Sequence, residues 1–397
     1  MSTATSPFVP PTHRALVLTS TAQPLELRTI PTPTASPGSA IIRVTATSVV
    51  SYGREIYTGV RKYPYPKPYV PGSVAVGHVV ALGSDATTLR VGDRVLAEGY
   101  IRARDDPDVR FLQGIHQGGP DGSPNVRLIG DENGYRNGSY AEYFKVPFEN
   151  CHRIPEKVGR APATPVQWLR LGHMLIPFGG LTSGGGVDLR PGETIVIAPA
   201  TGGFSGAAVE LALDMGARVV ALGRSLEGLR RIEDGLKEFV DRGRLRTVQM
   251  TEGITPEDLA KAIGTVDCYL DLSPHTAANS PHLKACILAL GVRGRACLMG
   301  GIEGDVALPH GVIMRNDLQI TGKWMYDRKS VGELIRMAEA GVLNLGRGES
   351  WSFKLEDWEA ALCSIQMFNC TCRLLVAKLS RTFVKIGCRC LSVVTVR

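Results

Sequence analysis

No apolar run in this 397-residue sequence is long enough to span a bilayer. The opening stretch, MSTATSPFVPPTHR, lacks the apolar core of a secretory signal. Membrane insertion and export are therefore not expected, and the cytoplasm is the expected location. Acidic residues are missing from 374–397, where Lys378, Arg381, Lys385, Arg389 and Arg397 stand alone. The formal net charge of +7 belongs largely to this tail, so it gives no reason to expect nucleic-acid binding. Cysteine pairs at the usual zinc spacing are also lacking. Cys151, Cys268, Cys286, Cys297 and Cys363 are scattered and read as buried thiols of a reducing compartment. The pairs Cys370/Cys372 and Cys388/Cys390 are separated by one residue, tighter than the usual zinc spacing of about two to four.

With 44% hydrophobic and 21% charged residues, the composition is that of a globular protein with room for two cores. The informative stretch is Thr194 to Ser225. A β-branched run, Thr194 to Ile197, predicts a buried parallel strand. The turn Ala200-Thr201-Gly202-Gly203-Phe204-Ser205-Gly206 follows, then an apolar helical pattern that stops at Gly216. A second strand, Arg218 to Leu222, ends in Gly223-Arg224-Ser225. Glycines between a strand and its helix let the backbone approach a pyrophosphate and aim helix N–H groups at it. Ala200 to Gly206 are thus candidate dinucleotide contacts.

Units that bind NAD place a carboxylate about 20 residues past the glycines, on the ribose hydroxyls. Here Arg224 occupies that region and no carboxylate ends the strand. A guanidinium offers a planar fork suited to phosphate. Gly223, Arg224 and Ser225 therefore predict a 2′-phosphate pocket and NADP(H) as the cofactor.

Before this unit the sequence is strand-rich from Arg14, with turns at Ser36-Pro-Gly-Ser and Val91-Gly-Asp-Arg, which predicts an all-β unit of partly open barrel type. Residues 101–138 are polar and aperiodic, a long excursion. After Ser225, helix and strand alternate to a last strand at Leu318 to Gly322, the pattern of a doubly wound parallel sheet. Expected domains are a loose lead-in at 1–13, a β-domain at 14–162 and 341–372, a dinucleotide-binding domain at 163–340, and an atypical basic tail at 373–397.

Four segments carry a family resemblance: VGDRV (Val91 to Val95), NGSYAEYFKVP (Asn137 to Pro147), LRPGETIVIAPATGGFSG (Leu189 to Gly206) and the closing LEDWEAAL. In this order they resemble the medium-chain dehydrogenase/reductase superfamily. The resemblance implies an α/β chain, a chaperonin-10-like β-barrel domain plus a doubly wound Rossmann domain. It also implies a nicotinamide cofactor, a small-molecule substrate, and a homodimer paired through the edge near Leu318 to Gly322.

Zinc-dependent members carry a Cys after the second strand segment, a Gly-His-Glu, and a Cys ahead of the Rossmann strand. At these places stand Val50, Ser73 and Val74, and His173-Met174 without a Cys; residues 96–135 contain no Cys for a structural zinc. Val cannot ligate and Ser rarely does. His78 and His173 lack partners at ligand spacing. No metal is expected, and the resemblance narrows to the zinc-lacking quinone oxidoreductase and enoyl reductase branch.

Without zinc, the resemblance implies that a hydroxyl or water delivers the proton. Tyr52, two residues past the position of the lost Cys, is the candidate catalytic residue. Arg54, Tyr57 and Lys62 border the same loop. The resemblance also implies cofactor contacts at two strand ends, Ser273 and Met299-Gly300-Gly301. Trp324-Met325-Tyr326 would close over the ring, with Lys323 a structural cation. The expected activity is zinc-independent, NADP(H)-dependent hydride transfer to or from a carbonyl, enone or quinone. A metal-free secondary-alcohol dehydrogenase and a non-catalytic NADPH-binding scaffold or sensor are the alternatives.

Overall fold

The computed structural model describes residues 8–131, 133–158, 161–348, 350–367, 374–376 and 391–395. The chain divides into two compact units, one built on residues up to Gly172 and from Gly348 onward, the other on His173 to Arg347.

The first unit is organised around the eleven-residue strand Ser39–Val49, whose residues are nearly all buried. This strand pairs antiparallel with Val74–Leu82 and with Tyr143–Pro147; Val74–Leu82 pairs onward with Arg94–Glu98, and that strand with Cys151–Arg153. Ala40, Ile42, Val44, Val79, Val95, Phe144 and Val146 form the core beneath it. Alternate residues of a pleated strand point to opposite faces, so one face of each strand supplies this cluster. The hairpin Thr12–Val17 with Glu26–Pro31 lies in a separate two-stranded sheet.

The excursion predicted at 101–138 contains structure that its polarity conceals. Tyr100–Arg102 pairs with Arg110–Leu112, and a short helix spans Pro124–Ile129. The tail also departs from expectation. In the stretch expected as an atypical tail, Leu374–Val376 and Leu391–Thr395 both pair antiparallel with Ser39–Val49. Leu391–Thr395 reads LSVVT, β-branched and apolar enough to extend a sheet despite its basic surroundings. The two closely spaced cysteine pairs and the five basic tail residues lie outside the described residues.

The second unit holds a six-stranded parallel sheet in the spatial order Leu245–Gln249, Arg218–Gly223, Thr194–Ala198, Val266–Asp271, Leu290–Leu298, Gln319–Gly322. The order reverses beside Thr194–Ala198, and in open parallel sheets ligands bind outside the carboxyl ends of strands at such a point. The strand residues are almost continuously apolar, as expected when helices cover both faces. Val196, Ala198, Val220, Leu222 and Tyr269 pack with Leu259, Leu283 and Ile287 from two helices. After Ser225 two helices follow in succession, Leu226–Gly235 and Lys237–Asp241.

Four described cysteines, Cys151, Cys268, Cys286 and Cys297, are buried free thiols as expected. Cys363 is instead exposed, and accepts a contact from Arg54 Nη1 at 3.5 Å. No helix among the described residues is long and apolar enough to cross a membrane.

Candidate functional site

In the second unit, the strand Thr194–Ala198 delivers the chain into the glycine turn, and the helix Gly203–Asp214 leaves it. Gly202 is the N-cap, no side chain caps the helix, and no acidic residue lies in its first turn. The first N–H groups of a helix have no partner within it, and the helix dipole favours an anion there. A Cβ built on Gly203 meets nothing within 4 Å, so the backbone edge of the turn is open.

The seven turn residues divide by burial. Thr201, Gly202, Gly203 and Phe204 reach the surface to varying extents. Ala200, Ser205 and Gly206 are buried. The Ala200 N–H donates to the Leu222 carbonyl at 2.7 Å, tying the turn to the next strand. Phe204 stacks on His173, ring centroids 5.3 Å apart.

At the end of Arg218–Gly223, the room left by Gly223 is taken by Thr201: a Cβ there would meet Thr201 Cγ2 at 2.9 Å. Arg224 is exposed, and its carbonyl accepts from Gln249 Nε2 at 3.2 Å. Ser225 is the N-cap of Leu226–Gly235, its Oγ accepting from the Gly228 N–H at 3.0 Å. The Ser225 oxygen is thus engaged by the helix, and its O–H proton remains for donation. Arg231 is ion-paired with Glu227.

The ends of the next two strands are locked together by one buried carboxylate, whose linking role sequence reading missed. Asp271, 2% exposed, accepts from the Gly300 N–H at 3.0 Å, from Tyr269 Oη at 3.2 Å and from Ser273 Oγ. Ser273 Oγ also lies 2.7 Å from His282 Nε2, and His282 Nδ1 lies 2.6 Å from Ser280 Oγ. The Gly301 N–H donates to the Ser273 carbonyl at 2.9 Å, and the Met299 N–H to that of Asp271 at 3.0 Å. Ser273, Met299, Gly300 and Gly301 are therefore brought together, with Ser273 buried and Gly301 exposed. The only sequence signal was an Asp at a strand end with a Ser two residues on.

Lys323 Nζ pairs with Asp327 at 2.9 Å and donates to the Gly184 carbonyl, the contacts of a structural cation. Trp324 is exposed and Tyr326 buried.

In the first unit, Tyr52 stands at the start of the short helix Gly53–Tyr57 and is partly buried. The Arg61 guanidinium lies 4.4 Å from the centroid of its ring, and Tyr63 meets it edge-on at 6.2 Å. Burial raises the Tyr52 pKa well above the ordinary phenol value, Tyr63 adding to this and Arg61 opposing it. The phenol is therefore neutral at physiological pH and holds its proton tightly. Arg61 was not singled out in the sequence; it is held by Glu55, 3.1 Å away. Tyr57 is buried against Tyr140, while Arg54 and Lys62 are exposed.

Val50, Ser73 and Val74 are partly buried residues of the same unit. His78, also partly buried, has its pKa lowered by burial and by Arg43 and Arg94, so its ring is neutral. Among the described residues, no group of three or more His, Cys, Asp or Glu is placed to hold a metal ion.

Residues 36–156 match the family of alcohol dehydrogenase GroES-like domains. The chain is 26% identical over 292 residues to alcohol dehydrogenase notN of Aspergillus sp. (strain MF297-2), covering 73% of this chain and 77% of that one. Among solved structures, a short chain alcohol dehydrogenase of E. coli CFT073, complexed with NADH, superposes with a TM-score of 0.72 at 17% identity, covering 93% of this chain and 100% of that one. A cobalt- and zinc-bound thermostable alcohol dehydrogenase from Pyrobaculum aerophilum does so with 0.65 at 22% identity, covering 89% and 96%. A GroES-like domain followed by a parallel six-stranded sheet is the fold that the chain shares with these alcohol dehydrogenase structures.

Proposed function

We propose that this protein is a nicotinamide-dependent oxidoreductase that uses NADP(H), works without zinc, and reduces or forms a carbonyl, enone or quinone. The observation that carries the reading is the uncapped, acid-free helix start at Gly202-Gly203, with Arg224 exposed where the neighbouring strand ends. These residues fit a dinucleotide: the open edge at Gly203 admits a pyrophosphate, and Arg224 with the Ser225 O–H suits a 2′-phosphate. Ser273 and Met299-Gly300-Gly301, held by Asp271, would border the ribose and nicotinamide. When bound, that cofactor supplies the hydride; the chain supplies orientation and electrostatics.

Tyr52 is the proposed partner of the substrate oxygen. Because its pKa is raised, complete proton transfer from it is weakly driven near neutral pH. A hydrogen bond to an oxygen that gains negative charge suits it better, and this role needs no ionisation of the phenol. Arg61, close to the ring face, opposes the rise in the phenol's pKa. Val50, Ser73 and Val74 support zinc independence, since none of them is an ordinary zinc ligand. The zinc-bound fold relative makes a direct test necessary.

Purified protein, metal-quantified and treated with a chelator, would be assayed for NADPH oxidation with enones, quinones and ketones. Turnover that survives chelation at sub-stoichiometric zinc supports the reading. Activity that disappears with the metal, and returns with zinc alone, contradicts the zinc-independent part. Binding of NADPH with no turnover on any of these classes would favour a non-catalytic sensor. A dimer through the edge strand Gln319–Gly322 is part of the proposal, and sedimentation showing monomer alone would remove it.

A further inference from the structure

In the first unit, a cavity of about 360 Å³ opens beside the hairpin Thr12–Val17 and Glu26–Pro31. That volume lies in the range of small-molecule sites, about 300–1,000 Å³. Tyr69 and Phe144 contribute apolar wall, and His13, Thr29, Asn137 and Lys145 contribute its polar groups.

Two of these polar groups are buried and incompletely used. His13 is 4% exposed, and its Nε2 has no hydrogen-bond partner among the described residues. Its Nδ1 lies 3.3 Å from Thr32 Oγ1. The tautomer taken below is the one in which Thr32 donates to Nδ1 and Nε2 carries the proton. Lys145 is 7% exposed, and Nζ donates to the Asn133 carbonyl, itself at the cavity, at 2.8 Å. An ammonium has three donors, so capacity remains after that bond. The Val70 N–H donates to Asn137 Oδ1 at 3.0 Å, which fixes that oxygen as acceptor and leaves the NH₂ group as a further donor. Burial lowers the Lys145 pKa and Asp131 opposes that shift, while Glu142, which acts on His13, is held by Arg14. A buried ammonium beside donors and apolar wall is complemented by an anion with an apolar body.

We propose that this cavity binds a small organic carboxylate, its oxygens received by Lys145 Nζ, His13 Nε2–H and the Asn137 amide, its body against Tyr69 and Phe144. Nothing in the hydride-transfer reading requires this site.

Benzoate is a suitable probe, with benzyl alcohol as its uncharged counterpart, and calorimetric titration of the full chain reads both. Saturable benzoate binding is expected, with benzyl alcohol at least about tenfold weaker. Lys145→Met removes the charge and should weaken benzoate about tenfold or more. Thr29 is exposed on its strand, so Thr29→Trp fills the mouth without touching the core and should do the same. The Trp variant decides the matter alone if the Met variant fails to fold. Absence of saturation, equal affinity for the alcohol, or benzoate affinity unchanged in Thr29→Trp would each overturn the proposal.

Discussion

Gly300 is packed against the carboxylate of Asp271: its N–H donates to Oδ2 at 3.0 Å, and a Cβ added there would meet that same oxygen at 2.3 Å. The glycine permits the end of one strand to be tied to the end of its neighbour. Asp271 is buried and already holds Ser273 and Tyr269, so it cannot retreat freely. Gly300→Ala should therefore cost about 1–3 kcal/mol, the usual range for overpacking. Urea unfolding measures this, and an unchanged midpoint would show that the contact relaxes without strain.

Tyr52→Phe keeps the ring against Arg61 and Tyr63 and removes only the hydroxyl. If that hydroxyl receives the charge developing on a substrate oxygen, kcat should fall about 10²–10³-fold. Affinity for the nicotinamide cofactor should not change. Steady-state kinetics with a direct cofactor titration separates the two, and full turnover in the variant would remove Tyr52 from the chemistry.

His13 gives the fold a pH dependence of known sign. Burial lowers its pKa from 6.5 to about 4, with Glu142 and the Tyr143 carbonyl opposing. The unfolded chain therefore takes up this proton first as pH falls. The stabilisation is fully present above pH 6.5 and is lost progressively down to about 4. Between pH 7.5 and 4.5 the wild-type chain should lose about 2.5 kcal/mol more than His13→Leu. Urea unfolding at the two values tests this; equal losses would show that the imidazole is not held neutral.

Much of this could be read without coordinates. Thr194 to Ser225 announces itself because a buried strand, a glycine turn and a covered helix each have a local signature. The alternation that follows fixes a parallel sheet, since parallel neighbours need a crossover between them. What escaped depends on contacts between residues far apart in sequence. Arg61 reaches the ring of Tyr52 only after the loop folds back, and Lys145 meets His13 around one cavity across more than a hundred positions. The cap that the Ser225 oxygen gives the next helix also went unread, although Ser at a helix start suggests it by itself. The pairing of Leu391–Thr395 with Ser39–Val49 was hidden by a composition that resembles no regular element.

The most direct test of the central claim is a titration of the purified chain with NADPH and with NADH, followed by tryptophan fluorescence, for wild type and Arg224→Ala. A guanidinium that binds a 2′-phosphate through charge-assisted hydrogen bonds should be worth about 1.5–3 kcal/mol, or roughly 10- to 150-fold in Kd. The account predicts tighter binding of NADPH, a loss of that preference in Arg224→Ala, and NADH affinity unaffected by the substitution. Equal or tighter binding of NADH by the wild-type chain would contradict the phosphate pocket, and failure to bind either cofactor would contradict the oxidoreductase reading itself.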